Sequence, residues 1–161
     1  MIEMIRHQTL ALRNTAAKLL RELPADCVDD IPPTWKNNAR WHVGHLVVTP
    51  RLLTYGLLGE PLGVPEDYRK WFAKGSSPGD WAGQSIPTFE QLLHELTNKS
   101  EELFAAMARR MDETFAKPYA TTPGAVLASV GESLNFSQAH DGIHLGLIFA
   151  LRRALTMVAV K

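Results

Sequence analysis

The chain has 161 residues, of which 45% are hydrophobic, and such a chain can enclose one core without outside help. Lysine and arginine total 17, and aspartate and glutamate also total 17. This balance gives no net field that would attract nucleic acid or an anionic membrane surface. We therefore expect a single domain over residues 1–161 and no nucleic-acid partner.

The expected compartment is the cytoplasm. Cys27 is the single cysteine, so no intramolecular disulfide can form. Charged residues at Glu3, Arg6 and Arg13 interrupt the segment where a signal peptide needs an apolar run. No run reaches the roughly 18 uncharged apolar residues of a membrane-spanning helix. We expect a soluble protein with no membrane partner.

The first part of the chain predicts two helices. From Met1 to Leu23 the apolar residues recur at the spacing of one helical face, and Pro24 ends this helix. Residues 25–36 are rich in proline and aspartate, which is typical of a loop. A second helix is predicted from about Asn38 to Leu58, with a kink at Pro50 because proline donates no helical hydrogen bond.

A long connection is predicted over residues 60–87, which are rich in proline and glycine. One short helix is expected around Tyr68 to Phe72. Connections of this length are uncommon in compact domains and are often functional. Trp71 and Trp81 are expected either to cover a site or to pin the connection to the helices, and the sequence leaves both alternatives open.

Two capping boxes mark the start of two further helices. Thr88 is followed by Gln91, Ser129 is followed by Glu132, and an apolar stripe follows each pair. A turn-rich stretch at residues 118–124 joins them. Because no strand-type alternation is found, the predicted fold is all-α, a four-helix bundle with a long crossover between helices 2 and 3.

The fourth predicted helix carries a candidate pair of metal ligands. His140 and His144 are four residues apart, which puts their rings on one face with Cβ atoms about 5–6 Å apart. Their neighbours are apolar, where an unpartnered ring would be costly to bury. Because 6 histidines are present in the chain, chance pairs are common, and two separately hydrogen-bonded histidines remain an equal alternative.

A third ligand has to come from another helix, and the second helix offers His42 and His45. The apolar face of that helix favours His45 and turns His42 towards a side, so His42 is expected at the surface or rim. His7 and His94 have no partner at ligand spacing and are expected to be solvated.

These residues resemble the DinB/YfiT-like family. Residues 37–47, which contain Trp41 and the run Gly44-His45-Leu46, are similar to its tryptophan followed by a Gly-His-Leu turn. Residues 139–146 and the following arginine pair resemble its His-Glu-x-x-His-x-Gly-Gln segment. Residues 58–62, 72–75 and 87–89 are similar to its crossover, so the resemblance spans nearly the whole chain.

The resemblance implies that His45, His140 and His144 bind a divalent metal, with zinc or nickel as the expected ion. Asp141 stands where the family often has Glu, and Leu147 stands where Gln commonly follows the Gly. These departures alter the surroundings of the ion and weaken the expectation of catalysis more than that of metal binding. Asp141 should project about 100° away from its neighbour around the helix, so it is expected to cap, to pair or to be exposed.

Three neutral imidazoles leave a coordination position for water or substrate, as in catalytic metal sites. Such an ion activates water or a thiol. The resemblance implies a small-molecule substrate. Its relatives are hydrolases, or S-transferases that use a low-molecular-weight thiol. The sequence supplies no residue that can be named as a general acid or base. A non-enzymatic bundle that holds a metal or a small ligand, and a bundle without metal, stay open as alternatives.

A homodimer is also expected. The crossover and the helix faces carry more large apolar residues than the surface of a small bundle usually does, namely Leu57, Leu58, Trp71 and Phe72. The resemblance to the family supports the same expectation.

Overall fold

The structure is a computed structural model that describes residues 1–158, and it is mostly helical with one small sheet. The α-helices are α1 (Ile2–Arg21), α2 (Ala39–Arg51), α3 (Asp67–Phe72), α4 (Phe89–Met107) and α5 (Val130–Val158). Two strands, β1 (Thr114–Ala120) and β2 (Val126–Ser129), lie between α4 and α5. Short 3-10 turns occupy Ala25–Cys27 and Pro78–Trp81.

The four long helices enclose the core. α1 packs against α4 and α5, and α2 packs against the same two helices from its own side. Large side chains that are almost completely buried fill the space between them, among them Leu20, Leu46, Phe72, Leu96 and Ile148. Each such side chain contributes about 1.5–3 kcal/mol through burial, so the packing holds α2 and α5 firmly side by side.

Both predicted capping boxes are present. The Thr88 hydroxyl accepts a hydrogen bond from the backbone N–H of Gln91 at 3.2 Å. The side-chain oxygen of Gln91 accepts one from the backbone N–H of Thr88 at 2.8 Å. Ser129 and Glu132 make the same exchange, at 3.3 Å and 3.2 Å. Each exchange satisfies two amides that the first helical turn leaves unpaired.

The predicted second helix changes its hydrogen bonding just after Pro50. α2 ends at Arg51, and a π-helical turn continues the helix over Leu52–Gly56. Pro50 removes one backbone donor, and the Thr54 hydroxyl donates to the Pro50 carbonyl at 2.7 Å. The helix stops at Gly59, whose φ of 77° suits a residue without a side chain.

The prediction that the chain contains no strand is wrong. β1 and β2 form an antiparallel hairpin in which Tyr119 lies opposite Leu127 and Ala120 lies opposite Val126. Along β1 only Phe115 is buried, so the sequence shows no alternation of apolar and polar residues. The register is irregular between Thr114 and Tyr119, where a strand tolerates Pro118. The all-α prediction is thus corrected to a mostly helical fold with a two-stranded sheet.

The connection between α2 and α4 is pinned to the core by its tryptophans. Trp71 is 7% exposed and lies among the buried core residues. Trp81 packs edge-on against Phe72, and its indole N–H donates to the Trp71 carbonyl at 3.3 Å. Of the two alternatives for these tryptophans, the structure favours anchoring. In the described part of the chain, no helix is both long and apolar enough to cross a membrane.

Candidate metal centre

Three histidines from two helices converge at one point. His45 projects from α2, and His140 and His144 project from α5 one helical turn apart. Each offers a ring nitrogen, and these three atoms lie within 4.8 Å of one another. Nε2 of His45 is 3.1 Å from Nε2 of His140. These three residues, called here the histidine triad, are positioned to bind one metal ion.

The protonation state of the triad suits a metal. Burial first, and then the neighbouring His140, lower the pKa of His45 to about 3 against the opposing hydrogen bond to Phe72. Burial, followed by the charges of the other histidines, lowers the pKa of His144 to about 2. Both rings are therefore neutral at physiological pH, and neutral imidazole is the form that ligates metals.

A backbone contact fixes the ring of His45. Its Nδ1 lies 2.6 Å from the carbonyl oxygen of Phe72. A carbonyl can only accept, so Nδ1 carries the proton and Nε2 keeps a lone pair facing the other two histidines. The ring also stacks on Trp41, with centroids 4.5 Å apart and planes inclined by 13°. The orientation needed for metal binding is thus set before any ion arrives.

Gly44 makes this contact possible. A Cβ atom built on Gly44 would lie 2.3 Å from the Phe72 ring, far inside van der Waals distance. Only glycine allows the ring to pack directly on α2 at this point. The ring of Phe72 fills that space while its carbonyl reaches His45, which gives a physical reason for the Gly44-His45 pair.

The expectation that His42 lies at the surface or rim is wrong. His42 is 3% exposed, and its Nδ1 lies 3.1 Å from Nδ1 of His144. Nearly every residue of α2 from Ala39 to Val48 is buried, so this helix has no solvated side to which His42 could turn. Burial lowers the pKa of His42 to about 4. His42 contacts the triad without belonging to it.

Asp141 forms a buried ion pair, one of the three outcomes expected for it. Arg13 Nε donates to its carboxylate at 2.6 Å, and both residues are 2% exposed. Arg13 also donates to the Ser100 hydroxyl at 2.6 Å. Burial raises the pKa of Asp141, but the Arg13 guanidinium and the hydrogen bonds outweigh it, so the pKa is lowered overall. The pair ties α5 to α1 and α4 beside His140, and sequence reasoning gave Arg13 no such role.

A cavity of about 480 Å³ opens beside His45 and His140, a size within the usual range for small-molecule sites. Its walls come from α2, the π-helical turn, the connection between α2 and α4, α5 and the β-hairpin, and are mostly apolar, including Leu53, Phe136 and Ile143. The hairpin contributes Tyr119 and residues 121–123. This contribution was invisible in the sequence because the hairpin itself was not predicted.

The remaining histidines lie away from the site, as expected. His7 and His94 are exposed. Nε2 of His94 is 2.7 Å from the side-chain amide of Asn98, one turn away on the same helix. Neither belongs to the group of residues placed to hold a metal.

The sequence of the chain matches the family model of the DinB superfamily over residues 8–148. This range covers most of the chain and contains the complete histidine triad. The chain therefore belongs to the DinB superfamily. A comparison with curated proteins finds no match.

Proposed function

We propose that the protein is a metal-dependent enzyme in which His45, His140 and His144 hold one divalent ion, zinc or nickel. The observation that carries the proposal is the convergence of three histidines, two of which, His45 and His140, line a cavity. Three protein ligands leave a position open to water or substrate, as in catalytic sites. When bound, such an ion lowers the pKa of water or a thiol and so supplies a nucleophile at neutral pH.

The residues around the triad support this role. The Phe72 carbonyl and the Trp41 ring hold His45, and His42 contacts His144. Asp141 is committed to Arg13, which removes the nearest carboxylate as a general base. We infer that the nucleophile is a metal-bound water or low-molecular-weight thiol, in a hydrolase or an S-transferase.

A non-enzymatic bundle that holds a metal or a small ligand is the second candidate. One observation favours it: the described cavity wall holds no carboxylate, and its two histidines are the proposed metal ligands, which leaves few candidates for a general acid or base. In addition, Leu147 stands where the family commonly has Gln, and it is 39% exposed.

Turnover by the zinc-loaded protein separates the two candidates. We expect measurable hydrolysis of esters or amides, or substitution by a thiol at a haloalkane, in which a carbon–sulfur bond forms and a halide ion and a proton are released. The same assays with His45→Ala serve as the control, and its rate should fall to background. No turnover by protein with a full complement of zinc would favour the binding bundle.

We also propose that α1, α2, α4 and α5 form a four-helix bundle with residues 60–87 as its crossover, in a single cytoplasmic domain. A homodimer stays a prediction, but the surface offered for it changes. Trp71 and Phe72 are buried inside the chain and cannot face a partner. Exposed apolar residues suited to a partner are found on α5, where Ile143 is 59% and Phe149 is 51% exposed.

A further inference from the structure

The cavity beside the triad has an uneven distribution of charge. Of the residues that line it in the described part of the chain, Lys74 is the single permanent cation, and none is a carboxylate. The other polar groups are hydroxyls and the rings of His45 and His140. An occupant that is itself cationic would find no counter-charge on these walls.

The nearest acid does not correct this imbalance. Asp141 follows a triad residue, but it is 2% exposed and its charge is balanced by Arg13 at 2.6 Å. Imidazole ligates a metal in its neutral form, so a divalent ion on the triad would keep its full charge. Together with Lys74, the ion would make the cavity positive, which favours an occupant that carries an anionic group.

Lys74 is held at the edge of the cavity by the hairpin. Its Nζ donates to the Thr122 hydroxyl at 2.7 Å, which places the ammonium next to residues 121–123 of the cavity wall. Among residues 1–158, Lys74 makes no salt bridge. An ammonium has three donors, so two remain for a ligand after the bond to Thr122.

We propose that the cavity takes small molecules with an apolar body and an anionic group, and that Lys74 selects for the anionic group. The inference rests on the proposed function in treating this cavity as the substrate site. Apolar walls such as Leu53 and Phe136 accept the body, and Lys74 donates to the anion. Lys74 itself is exposed, so its effect is that of a partly solvated charge.

A matched pair of dyes tests the inference. 1-Anilinonaphthalene-8-sulfonate and N-phenyl-1-naphthylamine share an apolar ring system, and only the former carries an anionic group. Their dissociation constants are measured by fluorescence with chelator-treated protein, for wild type, Lys74→Ala, Lys74→Arg and Lys74→Glu. Lys70→Ala is the control, because Lys70 is exposed nearby and contacts Gln84 instead of the cavity.

The sulfonate dye should bind about two- to fivefold more weakly to Lys74→Ala and more weakly still to Lys74→Glu. Lys74→Arg and Lys70→Ala should bind it as wild type does, and the neutral dye should not distinguish any of the variants. In NMR spectra, the changes in backbone amide chemical shift caused by the sulfonate dye should be largest at Lys74 and the hairpin turn. Equal weakening of both dyes, no weakening of either, or shifts confined to the exposed Phe149 region would overturn the inference.

The design separates this inference from the proposed function. Lysine-dependent sulfonate binding by a protein that takes up no zinc would support the anion preference while the metal proposal fails. Zinc uptake by the triad with no contribution from Lys74 would leave the metal proposal standing and overturn the anion preference.

Discussion

The carbonyl oxygen of Phe72 accepts a 2.6 Å hydrogen bond from Nδ1 of His45, a residue 27 positions earlier in the chain. This bond joins the connection between α2 and α4 to the histidine triad. It depends on the close approach of Phe72 to Gly44, where a side chain would lie 2.3 Å from the ring. The packing of the connection and the orientation of a metal ligand are therefore coupled.

Gly44→Ala should weaken both packing and metal binding. The added methyl forces the Phe72 ring away, at a cost of about 1–3 kcal/mol in the free energy of unfolding. Displacing the carbonyl frees the His45 ring, so zinc affinity should fall about 10-fold or more. Urea unfolding and competition with a chromophoric chelator measure the two effects.

Gly142→Ala is the matched control for that substitution. It lies on α5 between two triad residues, and a Cβ atom there meets nothing within 4 Å. It should leave zinc affinity unchanged and raise helix stability by roughly 0.5–1 kcal/mol. Equal zinc affinity for Gly44→Ala and Gly142→Ala would show that the Phe72 contact does not orient His45.

His42→Ala should lower zinc affinity by a smaller factor than removal of a triad histidine. His42 contacts Nδ1 of His144 at 3.1 Å, so its loss frees the orientation of a ligand without removing one. Loss of such outer contacts costs about 10- to 100-fold in affinity. If His42→Ala abolished zinc binding as completely as His144→Ala, His42 would itself be a ligand and the triad assignment would be incomplete.

Removing the carboxylate of the buried ion pair should destabilise the fold strongly. Asp141→Asn leaves the Arg13 guanidinium buried without its counter-charge, at a cost of about 3–5 kcal/mol in the free energy of unfolding. The double variant Arg13→Met, Asp141→Leu should cost less than Asp141→Asn alone, because no charge is then left unpaired. Urea unfolding of the three proteins measures the difference. A double variant that loses as much stability as Asp141→Asn, or more, would contradict this account.

The metal-free protein should lose stability in acid. The pKa values are about 4 for His42, about 3 for His45 and about 2 for His144, all below the unfolded value of about 6.5. Above pH 6.5 neither state binds these protons, so the stability is fully present. As the pH falls below 6.5 the unfolded state takes up protons that the folded state refuses, so stability is lost progressively towards the folded pKa values.

The slope of the free energy of unfolding against pH depends on how many histidines are buried in the neutral form. Each contributes up to about 1.4 kcal/mol per pH unit between its two pKa values. Urea unfolding of chelator-treated protein between pH 6 and pH 4.5 should therefore give a shallower slope for His42→Gln than for wild type. His7→Gln, which changes an exposed histidine, should keep the wild-type slope, and equal slopes for all three proteins would contradict the burial of His42 as a neutral ring.

Local signals in the sequence predicted what local chemistry determines. The capping boxes at Thr88 and Ser129 and the one-turn spacing of His140 and His144 depend on residues close in sequence, so they were predicted correctly. His42 was wrongly predicted to lie at the surface or rim, because one side of α2 was expected to face solvent and tertiary packing buries that side. The contact between Arg13 and Asp141 joins residues 128 positions apart, and the spacing of residues along one helix cannot predict such a long-range contact.

The hairpin was not predicted because its sequence carries no local pattern of burial. Few of its side chains are buried, and Phe115 and Leu127 are the ones that join the core. An exposed hairpin needs no alternating pattern, so only a turn-rich stretch at residues 118–124 was predicted here and no strand on either side of it. The cavity walls contributed by Tyr119 and residues 121–123 were missed with it.

Zinc stoichiometry tests the central claim most directly. Protein purified without a nickel column is loaded with zinc, dialysed and measured by elemental analysis, with helix content checked by circular dichroism. The account predicts one ion per chain for wild type, His7→Ala and His94→Ala. It predicts close to none for His45→Ala, His140→Ala and His144→Ala, with helix content retained. A wild type that binds no zinc, or a His45→Ala variant that keeps one ion per chain, would contradict the assignment of the triad as a metal site.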